Sequence, residues 1–311
     1  MKVLLRKIKG EVSYAIGMLI CQLPFLRSYK FHLLSSWTQK EKRKGLGNFF
    51  YSKALWWWFQ CEYLSEQDPD KRESLKEVFM GGQSGKNWAE SYDSRPLDFE
   101  RRIGHLTGRD ANPLLPELDK LLSTTTESLM VVQIGSSSGR ELAWLAERNL
   151  THKYIGTDIY PEVIDYSSEH HNLPNLSFQR HSSKEISNLL NRYKGKGIIV
   201  FASGSLQYVQ PEHLVVFFDS LSCIPELQVI LLEPANKSQG DPSELKGSLW
   251  RGNFSYTHNY RFYAEKANLI TQTCRIIRPY RPYEDFPNHR NTVHYFYWAK
   301  TGNTPGNLCL R

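Results

Sequence analysis

A short run that is apolar at all but one residue, Leu129–Ile134, stops at a loop that begins and ends in glycine, Gly135-Ser136-Ser137-Ser138-Gly139. The chain then takes up helical spacing through Leu142, Leu145 and Ala146. Such a run suits a strand covered on both faces, the condition of a strand inside a parallel sheet. The glycines permit a tight turn, and a turn that feeds a helix N-terminus leaves backbone N–H groups pointing outward, a place suited to a nucleotide. Nineteen residues past Gly139, Asp158 lies at the end of the next strand-like run, Lys153–Ile159, where a carboxylate can accept both hydroxyl protons of a ribose. A strand, a glycine-bounded loop, a helix and a second strand ending in an acid leave few folds open.

The alternation continues. A helix over Pro113–Leu122 precedes the first strand, and another opens at Pro161, whose fixed φ is preset for a first turn. Leu176–Arg180 and Gly197–Ala202 read as the third and fourth strands, with a helix over Ser183–Tyr193 between them. Pro211–Ser222 reads as a helix, Leu227–Glu233 as the fifth strand, Tyr260–Leu269 as a helix, and Thr273–Ile277 with Val293–Lys300 as a closing strand pair. This order predicts an α/β fold, a doubly wound, mostly parallel sheet whose ligand sits beyond the C-terminal strand ends. Residues 1–110 read as a helical N-terminal cap, leaving 111–311 as the ligand-binding domain. Within the cap, the aromatic segment Asn48–Cys61 suits packing, and the polar stretches Gln67–Arg72 and Gly81–Ser84 suit linkers.

Together these segments resemble the class I S-adenosylmethionine-dependent methyltransferases. The run Val131-Val132-Gln133-Ile134-Gly135-Ser136-Ser137-Ser138-Gly139-Arg140-Glu141-Leu142 is similar to that family's first motif, and Tyr154-Ile155-Gly156-Thr157-Asp158 to its second. Ile198–Val209, with Ser203, resembles its fourth-strand motif, and Leu231-Leu232-Glu233-Pro234 fits its fifth strand. The resemblance implies a Rossmann-like methyltransferase domain with S-adenosylmethionine as cofactor, bound by Gln133, Gly135, Ser137, Gly139, Asp158, Ser182 and Ser203. Ser182 enters because it follows the third strand, where the family often places an acid that meets the adenine amino group. Two positions depart from the family pattern: Gln133 replaces the usual acid and Ser137 the usual middle glycine. An amide still orders the loop by hydrogen bonding, and serine is accommodated where its φ is negative. A nicotinamide-binding fold is disfavoured, since its G-x-G-x-x-G fingerprint is absent.

Charge narrows the partners. Residues 1–50 hold ten Lys or Arg against two acids, a net +8, so with the whole chain at +7 the other 261 residues carry −1. A near-neutral body with one basic arm argues against a broad phosphate-gripping face, which makes nucleic acid a poor partner, and fits a local contact with an anionic membrane surface. The apolar stretch Tyr14–Leu26 is about 13 residues, short of the ~20 that cross a bilayer, and reads as a buried helix or an in-plane anchor. Five scattered cysteines without C-x-x-C spacing suggest neither a disulfide framework nor a zinc site and suit a reducing, cytoplasmic setting with membrane association through the arm.

Methyl transfer from a sulfonium needs an in-line approach and at most one general base. Candidate catalytic groups therefore come from the segments after the fourth and fifth strands: Tyr208, a pocket wall or base, and His258, a loop histidine with the ordinary affinity for a proton. Neither an Asn-Pro-Pro-Tyr nor a Pro-Cys motif follows the fourth strand, where Gly204-Ser205-Leu206-Gln207-Tyr208 stands. The reading is an enzyme that methylates a small molecule or saccharide, most simply at oxygen. A non-catalytic methyltransferase-fold scaffold, kept open by Gln133 and Ser137, is the alternative, with a nucleic-acid methyltransferase behind it. The basic, aromatic run Arg275–Pro282 reads as a solvated rim.

Overall fold

The structure is a computed structural model that describes residues 59–80, 83–94, 99, 100, 103, 112–193, 195–236, 239–252, 254–277 and 292–302. The basic arm at 1–50, the apolar stretch Tyr14–Leu26 and all but the last three residues of the aromatic segment lie outside these residues, as do Gly81 and the part of the basic run beyond Ile277. Two compact units are present: Met1–Gly81 with Gly252–Phe254, and Gly82–Arg251 with Ser255–Arg311.

In the first unit, residues 59–65 are helical and α1 spans Pro69–Met80. Of the stretch expected as a linker, Gln67 and Asp68 form the break between the two helices and Pro69–Arg72 start this helix. Asp68 Oδ1 accepts from the N–H groups of Asp70 at 2.9 Å and Lys71 at 3.4 Å, and Pro69 stands where a helix leaves its N–H unused. The buried rings of Phe59 and Tyr63 meet Phe254 edge-on, with centroids 5.5 and 5.1 Å apart.

The second unit carries the sheet. Strands β1 (Met130–Ile134), β2 (Lys153–Asp158), β3 (Leu176–Arg180), β4 (Ile198–Ser203) and β5 (Leu227–Asn236) are parallel; β8 (Ile270–Ile277) and β9 (Thr292–Lys300) complete the order β3-β2-β1-β4-β5-β9-β8. β9 runs antiparallel to both β5 and β8. The order reverses between β1 and β4, so the crevice beyond their C-terminal ends is where a ligand of this architecture binds.

The apolar run of β1 is explained by its two covered faces. Met130, Val132 and Ile134 pack with Leu189, Phe217 and Tyr263, whereas Val131 packs with Leu118, Leu142 and Leu145. Alternation along a strand sends neighbours to opposite faces, so a strand buried on both must be apolar throughout. The helices on these faces are α3 (Leu114–Thr124), α4 (Arg140–Arg148), α5 (Pro161–His170), α6 (Ile186–Leu190), α7 (Pro211–Ser222) and α8 (Tyr260–Lys266). Helix α2 (Gln83–Asp93), grouped by sequence with the N-terminal cap, lies in this unit and packs against α5.

Three elements depart from the sequence reading. The helix expected over Ser183–Tyr193 shrinks to α6 and a 3-10 turn, Asn191–Tyr193, because Glu185 Oε2 takes both the N–H and the hydroxyl of Ser182 and starts the helix late. β5 runs on to Asn236: past the last β4 pair, Ser203 with Leu232, it keeps β9 on one side only, where Pro234 is tolerated. The segment expected as a loop before Tyr260 is mostly strand, since β6 (Ser248–Gly252) pairs with β7 (Ser255–His258). Cys61 and Cys274 are not in disulfides, whereas Cys223 is disulfide-bonded, which the scattered spacing of the cysteines does not reveal. Among the described residues no helix is long and apolar enough to cross a membrane.

Candidate functional site

The glycine loop adopts positive φ at alternate residues, +66° at Gly135, +50° at Ser137 and +79° at Gly139. Glycine is required at both ends. A Cβ on Gly135 would stand 2.4 Å from Ser205 Cβ, and one on Gly139 would stand 2.5 Å from the Phe178 ring. Ser137 meets the strained condition that the sequence reading hoped to avoid: its φ is left-handed, which costs an L-residue on the order of 1–2 kcal/mol.

The expected row of outward N–H groups is largely used within the protein. Ser136 N–H donates to Thr157 O at 2.8 Å, Ser137 N–H to Asp158 Oδ2 at 3.3 Å and Gly139 N–H to Ser136 O at 2.9 Å. What remains without a partner is side-chain oxygen: Gln133 Oε1 and the hydroxyls of Ser136, Ser137 and Ser138 are all buried and unpaired. Burying such groups unpaired is costly, so a polar ligand end that satisfies them is favoured.

Gln133 follows the face rule of β1. It lies on the same side as Val131, toward α4, and its amide Nε2 donates to Glu141 Oε2 at 2.9 Å. The acid absent from position 133 is thus supplied by the first turn of α4. Tyr92 at the end of α2 also reaches Glu141, at 3.3 Å, and Arg140 donates to the Asp93 carbonyl at 3.3 Å, which ties α2 to the same turn.

Asp158 ends β2 as expected. It accepts from Ser137 N–H and, through Oδ1, from Tyr160 N–H at 3.3 Å. Burial pushes its carboxyl above the usual carboxylate range, against the pull of the backbone donors from Tyr160, Ser137 and Ile159. Ser182 sits after β3, but its hydroxyl donates to Glu185 at 2.9 Å and serves as a turn former; an oxygen lone pair is what it retains for a ligand. Ser203 closes β4 beside Leu232 of β5.

A second constellation lies beyond β4 and β5; sequence pointed to the segment of Gln207 and to Glu233 as a loop anchor, but not to Arg251. Glu233 is fully buried and accepts three backbone N–H groups at 3.1 Å, from Ser205 and Leu206 on Oε1 and from Gln207 on Oε2. It anchors the 3-10 turn Leu206–Tyr208 that carries Tyr208. Burial raises its carboxyl to about 7 against those three donors and the Arg251 charge. Gln207 Nε2 donates to Gly204 O at 2.6 Å, which aims its Oε1 at the Arg251 guanidinium; the two are hydrogen-bonded. Arg251 comes from β6, and its Nε donates to Ser255 Oγ at 3.3 Å.

His258 is not the loop histidine with ordinary proton affinity that the sequence suggests. It ends β7 at 1% exposure, its Nδ1 lies 2.5 Å from Ser248 Oγ, and that hydroxyl lies 2.6 Å from Tyr263 Oη. Burial lowers its pKa to about 3, outweighing the nearby carbonyls of Val209 and Leu206, and its Nε2 has no hydrogen-bond partner. A base that weak takes up little proton at neutral pH. Tyr208 lies within electrostatic range of Arg251, so the structure brings it to the second constellation, and His258, also within range of Arg251, is a buried neutral ring there. Among the described residues no cluster of His, Cys, Asp and Glu is arranged to hold a metal ion.

No family model matches the chain, and no curated protein matches it. Solved structures do. The magnesium protoporphyrin IX methyltransferase of Synechocystis PCC 6803, with bound SAH, superposes with a TM-score of 0.51 at 13% identity, covering 74% of this chain and all of that one. The geranyl diphosphate C-methyltransferase of Streptomyces coelicolor A3(2), with Mg2+, geranyl diphosphate and S-adenosyl-L-homocysteine, gives 0.45 at 12% identity over 62% of this chain and 82% of that one. At such identity the first of these likenesses shows the fold alone: an α/β sheet with mostly parallel strands, shared with that methyltransferase.

Proposed function

We propose that the chain is an S-adenosylmethionine-dependent methyltransferase of a small-molecule or saccharide acceptor, working by O-methylation. The observation that carries this reading is the Gly135–Gly139 loop, wound through positive φ beside Asp158 at the reversal of strand order, with four buried oxygens left unpaired around it. Those oxygens fit the polar amino-acid and nucleoside ends of the cofactor, and the fold shared with a structure that holds SAH agrees. S-adenosylmethionine, when bound, supplies an electrophilic methyl group on a sulfonium.

Asp158 takes the ribose hydroxyls, Gly135, Ser137 and Gly139 admit the close approach of the ligand, and Gln133, fixed by Glu141, orders the loop beneath them. Ser203 and Ser182 border the site at the ends of β4 and β3, Ser182 as an acceptor toward adenine. On the acceptor side Tyr208, on a turn pinned by Glu233, forms a wall against which the acceptor oxygen is aligned. The N-terminal region, with its +8 arm, holds the enzyme at an anionic membrane surface; salt-insensitive behaviour toward anionic vesicles removes that element.

Calorimetric titration with S-adenosylmethionine and S-adenosylhomocysteine tests the cofactor. Dissociation constants on the order of micromolar, about −8 kcal/mol, are expected for the wild type and a loss of at least about tenfold for Asp158→Ala. A folded wild type that binds neither compound sinks the enzyme reading and favours a scaffold.

A further inference from the structure

Arg251 is the residue that this fold and the cofactor do not account for. Its guanidinium carries five N–H donors, of which one goes to Ser255 Oγ and one to Gln207 Oε1. Among the described residues no carboxylate lies within 4.0 Å of it, while Arg148, Arg261 and Arg275 each have an acid inside that distance. The acid nearest in charge, Glu233, spends its two oxygens on three backbone N–H groups. A half-buried guanidinium held by two neutral oxygens retains both its charge and a free fork of donors.

Two independent features mark the same place as made for a ligand. Tyr260, at 1% exposure, has a hydroxyl without a partner, and that hydroxyl lies within electrostatic range of both Glu233 and Arg251. The place is also joined to the cofactor loop by a short chain of contacts. Ser205 Oγ donates to Ile134 O at 2.6 Å beside Gly135, and Gln207, two residues on, is bridged from Gly204 O to Arg251. Every residue in this chain belongs to the sheet-bearing unit.

We propose that Arg251 is the anchor for an anionic methyl acceptor, taking a carboxylate or phosphate oxyanion on the free edge of its guanidinium, with the Tyr260 hydroxyl as a further donor. The assignment rests on the methyltransferase reading and narrows its substrate class from small molecules in general to acidic or phosphorylated ones. Arginine suits this task because its planar fork matches two oxygens of one anion, and Gln207 holds the fork in one plane without neutralising it.

The test uses the full chain, with and without saturating S-adenosylhomocysteine, titrated with inorganic phosphate and separately with benzoate. The readout is the NMR resonance of the Arg251 Nε–H, assigned by its loss in Arg251→Lys. A saturable shift with a dissociation constant on the order of millimolar is expected for at least one anion. Arg251→Gln should abolish that binding and change affinity for S-adenosylhomocysteine by less than about threefold. Response to phosphate alone assigns a phosphorylated acceptor, and response to benzoate alone a carboxylate. No saturable shift in the wild type, or equal anion binding in Arg251→Gln, overturns the proposal. If S-adenosylhomocysteine fails to bind while Arg251 still takes the anion, the methyltransferase reading fails and the anion site stands. The wild-type titration needs no variant to fold, and Arg251→Lys, which keeps the charge but not the fork, should weaken binding without abolishing it.

Discussion

The two ends of the proposed site, one for the cofactor and one for the acceptor, are built on opposite principles. At the cofactor end, one continuous segment does most of the shaping: Gly135, Ser137 and Gly139 turn the backbone, and short side chains surround it. At the acceptor end, four separate segments converge, with Gln207 from the turn after β4, Glu233 from β5, Arg251 from β6 and Tyr260 from α8. The first end is set by steric permission and the second by where buried charge can be held. Perturbations should therefore act on them in different ways.

The largest effect belongs to the cofactor end. Gly135→Val forces a side chain into left-handed backbone and drives its Cβ against Ser205, whose hydroxyl holds Ile134 O. Strain and overpacking together should cost about 4 kcal/mol in urea unfolding and remove binding of S-adenosylhomocysteine. A loss under about 1 kcal/mol with binding intact would mean that backbone geometry does not define this end.

The acceptor end should answer to pH instead, and two of its buried titratable groups, Glu233 and His258, should pull in opposite directions. Glu233 is raised to about 7 in the fold. Between the ordinary glutamate value and about 7 the native state holds a proton that the unfolded chain has lost, so stability falls as pH rises, by about 3 kcal/mol at pH 7. His258 is lowered to about 3. Its contribution is complete above the ordinary histidine value and is lost as pH falls, by about 2 kcal/mol at pH 5, because the unfolded ring takes a proton that the buried ring refuses. Urea melts from pH 4 to 8 on the wild type, Glu233→Gln and His258→Gln separate the two. The wild type minus Glu233→Gln difference should slope downward with pH and the wild type minus His258→Gln difference upward. Slopes of one sign would mean that the two groups do not share one low-dielectric site.

The contrast also explains what could be read in advance. Leu129–Ile134, Gly135, Gly139 and Asp158 act through local rules of burial, turn geometry and strand end, so spacing alone exposes them, and the sheet follows from the same alternation. Arg251 was invisible because its meaning lies in partners 44 residues away along the chain, at Gln207, and nothing about an arginine before a Gly-Asn pair announces burial. His258 misled for the same reason: the paired strands β6 and β7, the second of which ends in it, are only five and four residues long and read as loop from the local pattern alone. The Gln133–Glu141 bond was within reach, since a polar residue inside a buried strand must find a partner on the helix covering that face.

Ser137 yields the smallest effect and the sharpest test of the cofactor end. Its left-handed φ and its buried, unpaired hydroxyl both cost the unliganded protein, and its nearest backbone contacts, Ser137 N–H with Asp158 and Ser137 O with Ser167 Oγ at 2.6 Å, do not use the side chain. Ser137→Gly removes both costs and restores some freedom to the unfolded chain, for a net gain of about 1 kcal/mol in urea unfolding. If the hydroxyl is kept for the cofactor, the same variant should bind S-adenosylhomocysteine about threefold to tenfold more weakly, the worth of one hydrogen bond. Stability and affinity then move apart, as they should where strain is stored for a ligand. Were both to rise, Ser137 would be a tolerated replacement of glycine with no part in binding, and the loop would work by its backbone alone.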